Sequence, residues 1–290
     1  MKTLIDVSVP LLTFTLLAAV GLDLTSKEFA RLRHQPALVF AGLVGPLVLL
    51  PPIAIGIASV FRPASDVVAS LLLIAACPIG GISNTYSYLA RASTALSVTL
   101  TGLSCLLAGL TMPLVGRGLE LAIAQPLNME VPLGLLFRHL FLMLTTPVAI
   151  GMLVRHYWAD VAQRYRSSVQ RLAFIGVGLM LLLIILDNPQ AFFTGLLSTI
   201  PISAAFIVCC AAAGWMTAAM VTDDDRDRFT LAAEFGTRNL GVAMAVAITL
   251  LGRIEFARFA YTYFLVEIPV MLVAIALFKR RRLELVRQPS

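Results

Sequence analysis

The sequence contains few charged residues. Only 13% of its 290 residues are Asp, Glu, Lys or Arg, whereas 59% are hydrophobic and the mean hydropathy is +0.90. Soluble globular domains carry roughly 25% charged residues. The low charge content therefore excludes an ordinary soluble domain and indicates an integral membrane protein. The net charge of +6 is then a signal of membrane orientation and does not predict a nucleic-acid partner.

Motifs that carry enzyme or metal chemistry are also scarce. The four cysteines lie in apolar segments, which is typical of small hydrophobic side chains and excludes a disulfide framework or a Cys/His metal site. No Gly-rich phosphate loop followed by lysine is present, which argues against an ATP-driven pump. No nucleophile–base pair stands out, so we predict a protein that is not an enzyme and has no organic cofactor. The cysteines are Cys77, Cys105, Cys209 and Cys210, and the three histidines at the edges of apolar segments are His34, His139 and His156.

Long apolar segments are abundant. A membrane-spanning helix needs about 20 mostly apolar residues, and the chain has nine such runs. They cover 4–23, 36–61, 67–91, 95–116, 131–154, 168–187, 192–221, 228–251 and 256–278. We therefore predict an all-α integral membrane protein with nine transmembrane helices in a single membrane domain, residues 1–290. The alternative for the first run is a signal peptide cleaved near Gly21, which would leave the following basic loop outside the cell.

The positions of Lys and Arg predict how the chain lies in the membrane. Fifteen of the 22 lie on the side that bears the C-terminus, and five lie on the opposite side. Because basic residues accumulate in cytoplasmic loops, we expect a cytoplasmic C-terminus and, with nine spans, an outside N-terminus. The protein is predicted to lie in the inner (plasma) membrane, with its basic 279–290 tail near lipid headgroups.

The third apolar run is interrupted by the segment CPIGGISN, residues 77–84. Pro78 removes a backbone donor, and Gly80 and Gly81 permit non-helical backbone. Freed carbonyls can bind a cation, and the N–H groups at the start of the next half-helix can bind an anion. Non-helical backbone at this depth is tolerated where it lines a cavity or is buried in protein. The segment therefore predicts a broken helix beside a binding site.

A similar pattern recurs in the eighth run. The third run contains G-x-x-N at Gly81–Asn84, and the eighth contains G-x-x-N at Gly236–Asn239. The two runs face opposite ways if the chain divides between the fourth and fifth spans. Such an echo predicts inverted repeats whose interrupted helices meet at the membrane midplane, with repeat one at about 4–116 and repeat two at about 131–278.

Polar side chains inside the membrane predict a cation site. Glu234 lies in the eighth run, where a carboxylate is costly and usually marks function. Ser97 and Thr101, four residues apart, share one helix face, although bonding to the preceding turn is the ordinary role of such hydroxyls. Together with two residues of the broken helix they form a set of hard oxygen ligands that suits sodium. The set is Ser83, Asn84, Ser97, Thr101 and Glu234.

Two motifs at this spacing resemble those of the bile acid:sodium symporter family. CPIGGISNTYSYLARASTALSVTLT resembles CPGG-x-x-SN…YLARGN-x-ALSV-x-x-T, and AEFGTRN resembles E-x-G-x-Q-N; the likeness continues through GLDLTSKEF…RHQPALV. The resemblance implies a bacterial-type homologue that lacks the first of ten helices. It also implies an elevator-like motion of a core domain, with two broken crossing helices, against a panel domain. The panel helices would be about 4–23, 131–154 and 168–187.

The resemblance places the family's first sodium site on the five oxygen-bearing residues named above. Its second site is not retained, because the two glutamines fall on Arg238 and Pro46. A guanidinium is permanently charged and cannot coordinate a cation, so Arg238 would replace the second sodium electrostatically. Alternatively, Arg238 pairs with Glu234, which favours sodium-independent or proton-coupled transport. Glu267 in the ninth run is a possible charge partner of Arg238, a proton-titrating group, or a member of a structural ion pair.

The resemblance implies an organic anion as substrate, either bile acid-like or a small carboxylate. We expect backbone N–H groups near Ile82 and Ser83 and the amide of Asn239 to contact it, and Arg238 is a further candidate. Ile82 stands where the family often has threonine, which argues against a pantoate-like pose. The oligomeric state is not predicted.

An acidic segment predicts a different chemistry. Residues Asp223–Asp227 fit D-D-x-x-D, the magnesium-diphosphate motif of prenyl-transferring enzymes, some of which are helical membrane proteins. The second aspartate cluster that such enzymes need is not evident in the sequence. The favoured interpretation is a loop whose acids cap the eighth span.

Overall fold

The computed structural model describes residues 2–25, 34–123 and 133–287. In these ranges the chain forms helices, turns and one isolated β-bridge, so the predicted all-α class is confirmed for the described part. A π-helical turn, Phe141–Thr145, joins α6 to α7, and another, Val246–Leu250, continues α11. The α-helices are α1 Lys2–Asp23, α2 Pro36–Phe61, α3 Ser65–Ala76, α4 Ser83–Leu89, α5 Thr94–Ile123, α6 Leu133–Leu140, α7 Thr146–Tyr157, α8 Ala159–Asp187, α9 Pro189–Ala219, α10 Asp225–Gly236, α11 Leu240–Ala245 and α12 Ile254–Arg287.

Several helices have the length and composition of membrane spans. Five described helices are long and apolar enough to cross a bilayer: Pro36–Phe61, Thr94–Val115, Ala159–Leu186, Phe192–Ala219 and Ile254–Glu284. Shorter apolar helices cover Ser8–Asp23, Ser65–Ala76 and Leu240–Leu250. These helices fit a multi-pass membrane protein. The count of nine spans and the inverted repeat remain predictions.

The two interrupted runs cross each other at their breaks. The third run is split into α3 and α4, the eighth is split into α10 and α11, and an antiparallel β-bridge pairs Ile79 with Arg238. The Gly80 N–H donates to the Thr237 carbonyl at 3.2 Å. These bonds satisfy backbone groups that the breaks remove from the helices. The antiparallel pairing means that the two broken segments run in opposite directions where they meet.

Close backbone approach explains one of the predicted break glycines. A Cβ at Gly80 would lie 2.6 Å from the carbonyl oxygen of Arg238, so only glycine fits without a shift of main chain. Pro78 lies on the same crossing, and its carbonyl accepts from the Asn239 N–H at 2.9 Å. At Gly81, by contrast, a Cβ would meet nothing closer than 3.7 Å. Gly236 ends α10, and its carbonyl accepts the Tyr263 hydroxyl at 2.5 Å.

Helix α1 packs against α7, α8 and the second broken helix. Gly21 and Gly151 let α1 and α7 approach closely, because a Cβ on either glycine would lie 2.9 Å from the Cα of the other. The Thr13 hydroxyl of α1 donates to the Gly241 carbonyl at 3.0 Å. Cleavage near Gly21 would remove this packed helix, which argues against the signal-peptide alternative. The division into panel and core domains remains a prediction.

The acidic segment forms the start of α10. The Asp224 carboxylate accepts the Arg226 N–H at 2.8 Å, which is an N-cap contact. Arg228 binds Asp223 at 2.8 Å and Asp225 at 3.4 Å. Within the described ranges, no group of three or more His, Cys, Asp or Glu is placed to hold a metal ion. The geometry therefore agrees with the capping interpretation and not with a magnesium-diphosphate site.

Candidate functional site

The five predicted cation ligands lie together beside the crossing. Helix α4 supplies Ser83 and Asn84, α5 supplies Ser97 and Thr101, and α10 supplies Glu234. All but Asn84 are completely buried, and Asn84 is partly exposed. Two consecutive helices and a third that is distant in sequence thus bring their oxygen atoms to one point inside the protein.

The oxygen atoms of this cluster are in mutual contact. The Ser97 hydroxyl lies 2.8 Å from Asn84 Oδ1 and also contacts Glu234 Oε1. The Thr101 hydroxyl lies 3.1 Å from Glu234 Oε2 and 3.3 Å from Asn84 Oδ1. It also lies 3.2 Å from the Ser83 hydroxyl. These are five oxygen–oxygen contacts.

The cluster has more oxygen contacts than protons to fill them. The three hydroxyls supply three protons, whereas an ionised carboxylate and an amide oxygen only accept. Three protons cannot bridge five contacts at once. A hard monovalent cation among the oxygens would accept their lone pairs without needing protons. The donor set therefore fits sodium, as the sequence predicts.

A neighbouring threonine shows the alternative role of a hydroxyl. Thr99 is also fully buried on α5, but its hydroxyl donates to the Ala95 carbonyl at 2.8 Å in the preceding turn. Ser97 and Thr101 instead make the contacts described above. The ordinary role considered for hydroxyls in membrane helices thus applies to Thr99.

Arg238 lies across the crossing with 3% of its surface exposed. Its Nη2 donates to the carbonyl of Cys77, the C-cap residue of α3, and its Nη1 lies 3.5 Å from the carbonyl of Glu234 in the last turn of α10. Carbonyls at the C-terminal end of a helix lack partners within the helix and carry the negative end of its dipole. The guanidinium therefore occupies a place that favours a cation.

The ion pair between Glu234 and Arg238, which the sequence left open as an alternative, does not form in the part of the chain that the structure describes. The guanidinium contacts the main-chain carbonyl of Glu234, not its carboxylate. The physical reason is that hydroxyls on α5 hold the carboxylate. The freed carbonyl of Cys77 draws the arginine the other way.

Pro46, the other replaced ligand, is buried within α2. It has neither a backbone N–H nor a polar side chain, so it offers a cation no side-chain oxygen. Next to it, a Cβ at Gly45 would lie 2.6 Å from the ring of Phe235. This side of α10 therefore packs closely against α2.

Glu267 of α12 lies at a second buried polar site. It is completely buried, and its Oε1 accepts the Tyr86 hydroxyl at 3.2 Å. Its Oε2 is without a hydrogen-bond partner among the described residues, as are the hydroxyl of Thr237 and Nε of Arg238. No ion pair between Glu267 and Arg238 is found there either. Glu267 is thus attached to the first broken helix through a tyrosine, which the sequence does not indicate.

A cavity of about 360 Å³ lies between helices α1 and α8 and the two breaks. This volume is near the lower end of the roughly 300–1,000 Å³ typical of small-molecule sites. The core side of the wall includes Gly80, Gly81, Ile82, Asn84, Thr85, Arg238 and Asn239. The α1 and α8 side includes Leu16, Ala19, Val20, Asp23, Arg166, Gln170, Ala173 and Val177.

Two of the predicted anion contacts already have partners within the protein. The Ser83 N–H donates to the Gly80 carbonyl at 3.1 Å, which closes the turn into α4. The Asn239 side chain caps α11, because its Oδ1 accepts the Val242 N–H at 3.1 Å. Its Nδ2 points to the sulfur of Cys105 at 3.7 Å. The Ser83 N–H is therefore not a free donor, and Asn239, which lines the cavity, has its side chain engaged at both ends.

Asn84 lies between the oxygen cluster and the cavity. Its Oδ1 accepts from Ser97 and Thr101 in the cluster, and the residue lines the cavity. The amide has two donors on Nδ2 in addition to that oxygen. Asn84 is therefore placed to contact both a cation and a ligand in the cavity.

A comparison with protein families decides the class of the protein. The profile of the Sodium Bile acid symporter family matches residues 9–194, more than half of the chain. The chain belongs to this family. The family predicted from the sequence motifs is confirmed, and this symporter-family member is a membrane transporter rather than an enzyme. The matched segment includes both hydroxyls of α5 and ends before Glu234 and Arg238.

Curated relatives of this transporter agree with the family assignment. An uncharacterized sodium-dependent transporter, YocS, of Bacillus subtilis is 23% identical over 228 residues, which are 79% of this chain and 70% of YocS. A probable sodium/metabolite cotransporter, the chloroplastic BASS1 of Arabidopsis thaliana, is 26% identical over 236 residues. That match covers 81% of this chain but 57% of the length of the plant protein.

One cluster of polar side chains in the cavity of this family member was not predicted from the sequence. Asp23 ends the first apolar run, and Arg166 and Gln170 lie near the start of α8, more than 140 residues away. Arg166 contacts the Asp23 carboxylate, and the Gln170 amide donates to it at 3.2 Å. The position of Asp23 at the end of an apolar run could have marked it as a candidate, but the sequence around it does not indicate that Arg166 and Gln170 are its partners.

Proposed function

We propose that this protein is a secondary active transporter that couples the movement of one organic anion to one sodium ion. The oxygen cluster around Glu234 carries the proposal, because its five oxygen contacts exceed its three hydroxyl protons. A buried carboxylate supplies one negative charge for one monovalent cation. The sodium dependence in the name of the relative YocS supports the same choice of ion.

Arg238 takes the electrostatic role of a second cation in this proposal. Its guanidinium binds carbonyls at the C-terminal ends of two half-helices. Those carbonyls attract positive charge because of the helix dipoles. An arginine supplies that charge permanently and does not dissociate during transport. One exchangeable sodium is then sufficient, and Pro46 on α2 contributes no ligand for another.

Asn84 couples the ion to the substrate. Its Oδ1 belongs to the oxygen cluster, and the residue also lines the cavity. A sodium ion bound to Oδ1 draws electron density from the amide and strengthens its N–H groups as donors to an anion. Arg238, which also lines the cavity, adds positive charge for a carboxylate.

Alternating access fits the position of the cavity between two groups of helices. The two breaks are bonded to each other and to α5, whose Ser104 hydroxyl accepts the Ile79 N–H at 2.9 Å. They move together as a core, while α1 and α8 form a panel. A displacement of one group against the other carries the ligand across the inner membrane, with the C-terminus in the cytoplasm. The motion is elevator-type.

A second candidate is sodium-independent, proton-coupled transport through Glu267. Two buried oxygen atoms without hydrogen-bond partners among the described residues, Oε2 of Glu267 and the hydroxyl oxygen of Thr237, favour this candidate. A protonated Glu267 has an O–H group, and such an unpaired hydroxyl oxygen could accept a hydrogen bond from it. In this version Glu267 carries a proton in place of the sodium at Glu234.

A binding screen followed by an uptake assay tests the two candidates. The purified full chain is heated with small carboxylic acids or bile acids, each in sodium or potassium buffer, and its melting temperature is measured. Stabilisation by an acid in sodium alone supports sodium coupling. The acid found is then used for uptake into proteoliposomes with and without a sodium gradient. Sodium-independent uptake that follows a pH gradient supports the second candidate, and no stabilisation by any acid contradicts both.

A further inference from the structure

The wall of the cavity opposite the breaks carries its own polar cluster. Asp23 at the end of α1 is almost buried, with 9% of its side chain exposed, although it carries a charge. Its Oδ1 contacts Nε of Arg166, and its Oδ2 accepts the Gln170 amide at 3.2 Å. All three residues line the same cavity as Asn84 and Arg238. We call Asp23, Arg166 and Gln170 the panel cluster.

The contact to Asp23 uses only part of the arginine. A guanidinium has five N–H donors, and the ion pair engages Nε. The two terminal nitrogens form the fork that binds carboxylates in bidentate fashion. The Arg166 side chain is 44% exposed and lines the cavity. Asp23 therefore holds the arginine in place without covering the part that recognises an anion.

The charge of this region also favours an anionic ligand. Arg155 lies within electrostatic range of Asp23, in addition to Arg166. Arg155 does not line this cavity, so Arg166 is the cation of the panel cluster. The ion pair with Asp23 engages its Nε, and a second carboxylate is the partner that fits its terminal nitrogens.

Apolar side chains also line this cavity beside the polar groups of the panel cluster and of the breaks. Leu16 and Val20 of α1, Val177 of α8 and Phe264 of α12 line the cavity. A ligand that fills the cavity therefore meets both polar groups and hydrocarbon. The volume of about 360 Å³ suits a small acid better than a sterol.

We propose that the panel cluster is a second carboxylate-binding subsite, and that the substrate is a short dicarboxylic acid. One carboxylate lies at Asn84 and Arg238, and the other lies at the fork of Arg166. The proposal rests on the proposed anion transport, which it deepens by naming the substrate class. A purely structural tie between α1 and α8 is the alternative explanation of the Asp23–Arg166 contact.

Matched pairs of ligands distinguish the two explanations. Succinate, glutarate and adipate are compared in sodium buffer with butanoate, pentanoate and hexanoate, which have the same chain lengths and one carboxylate each. Binding to the purified full chain is measured by calorimetry and by melting temperature. We expect one dicarboxylate to bind about 10- to 100-fold tighter than its monocarboxylate, as one added charged contact predicts.

Two neighbouring arginines supply the matched variants. Arg166→Gln is expected to lower dicarboxylate affinity by more than monocarboxylate affinity, so that the preference for the dicarboxylate is lost. Arg164→Gln is the control, because Arg164 is exposed on the same helix, does not line the cavity and lies over the ring of Tyr165. Arg166→Lys keeps the charge without the fork, so we expect part of the preference to remain.

Each contrary result has a distinct meaning. Equal affinity of the unmodified protein for all matched pairs overturns the second subsite but leaves anion transport intact. An equal loss for both ligand classes in Arg166→Gln, with a lower melting temperature, assigns the contact to structure alone. If Arg166→Gln does not fold, an unchanged preference in Arg166→Lys at full stability overturns the fork. Absence of binding by any acid contradicts both the subsite and the proposed function.

Discussion

Two carboxylates, Glu234 and Glu267, are equally buried in this protein but have different neighbours. Glu234 lies among hydroxyl and amide oxygens that have too few protons for their contacts. Glu267 receives one tyrosine hydroxyl, and its other oxygen is without a partner among the described residues. Burial alone therefore does not identify a cation site in a membrane transporter. The surplus of oxygen ligands distinguishes Glu234.

Arg238 is close to both carboxylates but forms an ion pair with neither in the described part of the chain. Its terminal nitrogens bind main-chain carbonyls at the two helix breaks. When all three groups are ionised, the two carboxylates and the guanidinium sum to one negative charge. Of the two carboxylates, Glu234 is the one that contacts the oxygen cluster, so the proposed single sodium ion depends on the charge of Glu234 much more than on that of Glu267.

The largest expected effect is that of Glu234→Gln. The amide keeps the shape of the side chain but removes the charge that the proposed sodium ion needs. Loss of a buried charge partner costs about 3–5 kcal/mol, so sodium affinity should fall by more than about 100-fold. A sodium titration of the melting temperature measures this fall. If the Glu234→Gln variant kept the sodium affinity of the unmodified protein, Glu234 would not be the sodium ligand, and the proposed difference between Glu234 and Glu267 would be wrong.

The next effect concerns the hydroxyls of α5. Thr101→Val removes one oxygen ligand and should lower sodium affinity about 10- to 100-fold, which corresponds to about 1.5–3 kcal/mol for a contact to a charged group. Thr99→Val is the control, because that hydroxyl bonds to the Ala95 carbonyl in its own helix. The sodium titration should separate these two variants. Equal effects would mean that the loss is structural.

The sequence was sufficient to predict which residues form the oxygen cluster, and the binding of sodium there stays a prediction. Ser97 and Thr101 lie one helical turn apart, so their shared face follows from helix geometry. The proline and glycines of residues 78–81 predict the first break from local backbone chemistry. The position of a carboxylate inside the eighth apolar run added Glu234 to the same set, and the family resemblance agreed with it. Local periodicity and a specific motif together determine these features.

Contacts made across the crossing could not be predicted in the same way. The i, i+4 spacing of Glu234 and Arg238 favours an ion pair on a regular helix. Arg238 instead donates to the carbonyl of Cys77, which is 161 residues away in the sequence. Rules based on local spacing cannot predict this contact. The hydrogen-bonded residues Tyr86 and Glu267 are separated by 181 residues in the sequence, and Asp23 and Gln170 are separated by 147. Tertiary packing determines such contacts, and a single sequence does not record it.

A smaller effect is expected from Arg238→Gln, which restores the residue type that the family resemblance implies. Without the guanidinium, the core carries two negative charges and free carbonyls at the breaks. We expect a second sodium to bind, so that the Hill coefficient of the sodium titration rises from about 1 toward 2. Arg238→Lys keeps the charge and should keep the coefficient near 1. A coefficient that stays at 1 in both variants argues against the replacement of a sodium by Arg238.

The smallest effect on sodium is expected from Glu267→Gln. The amide oxygen of glutamine still accepts the Tyr86 hydroxyl, and Glu267 does not belong to the oxygen cluster. A charge that does not touch the ion acts through a medium of high effective dielectric, so sodium affinity should change by less than about tenfold. Uptake at several pH values, with and without a sodium gradient, measures the result. If this variant loses its response to a pH gradient while Glu234→Gln remains coupled, the coupling carboxylate is Glu267 and the ion is a proton.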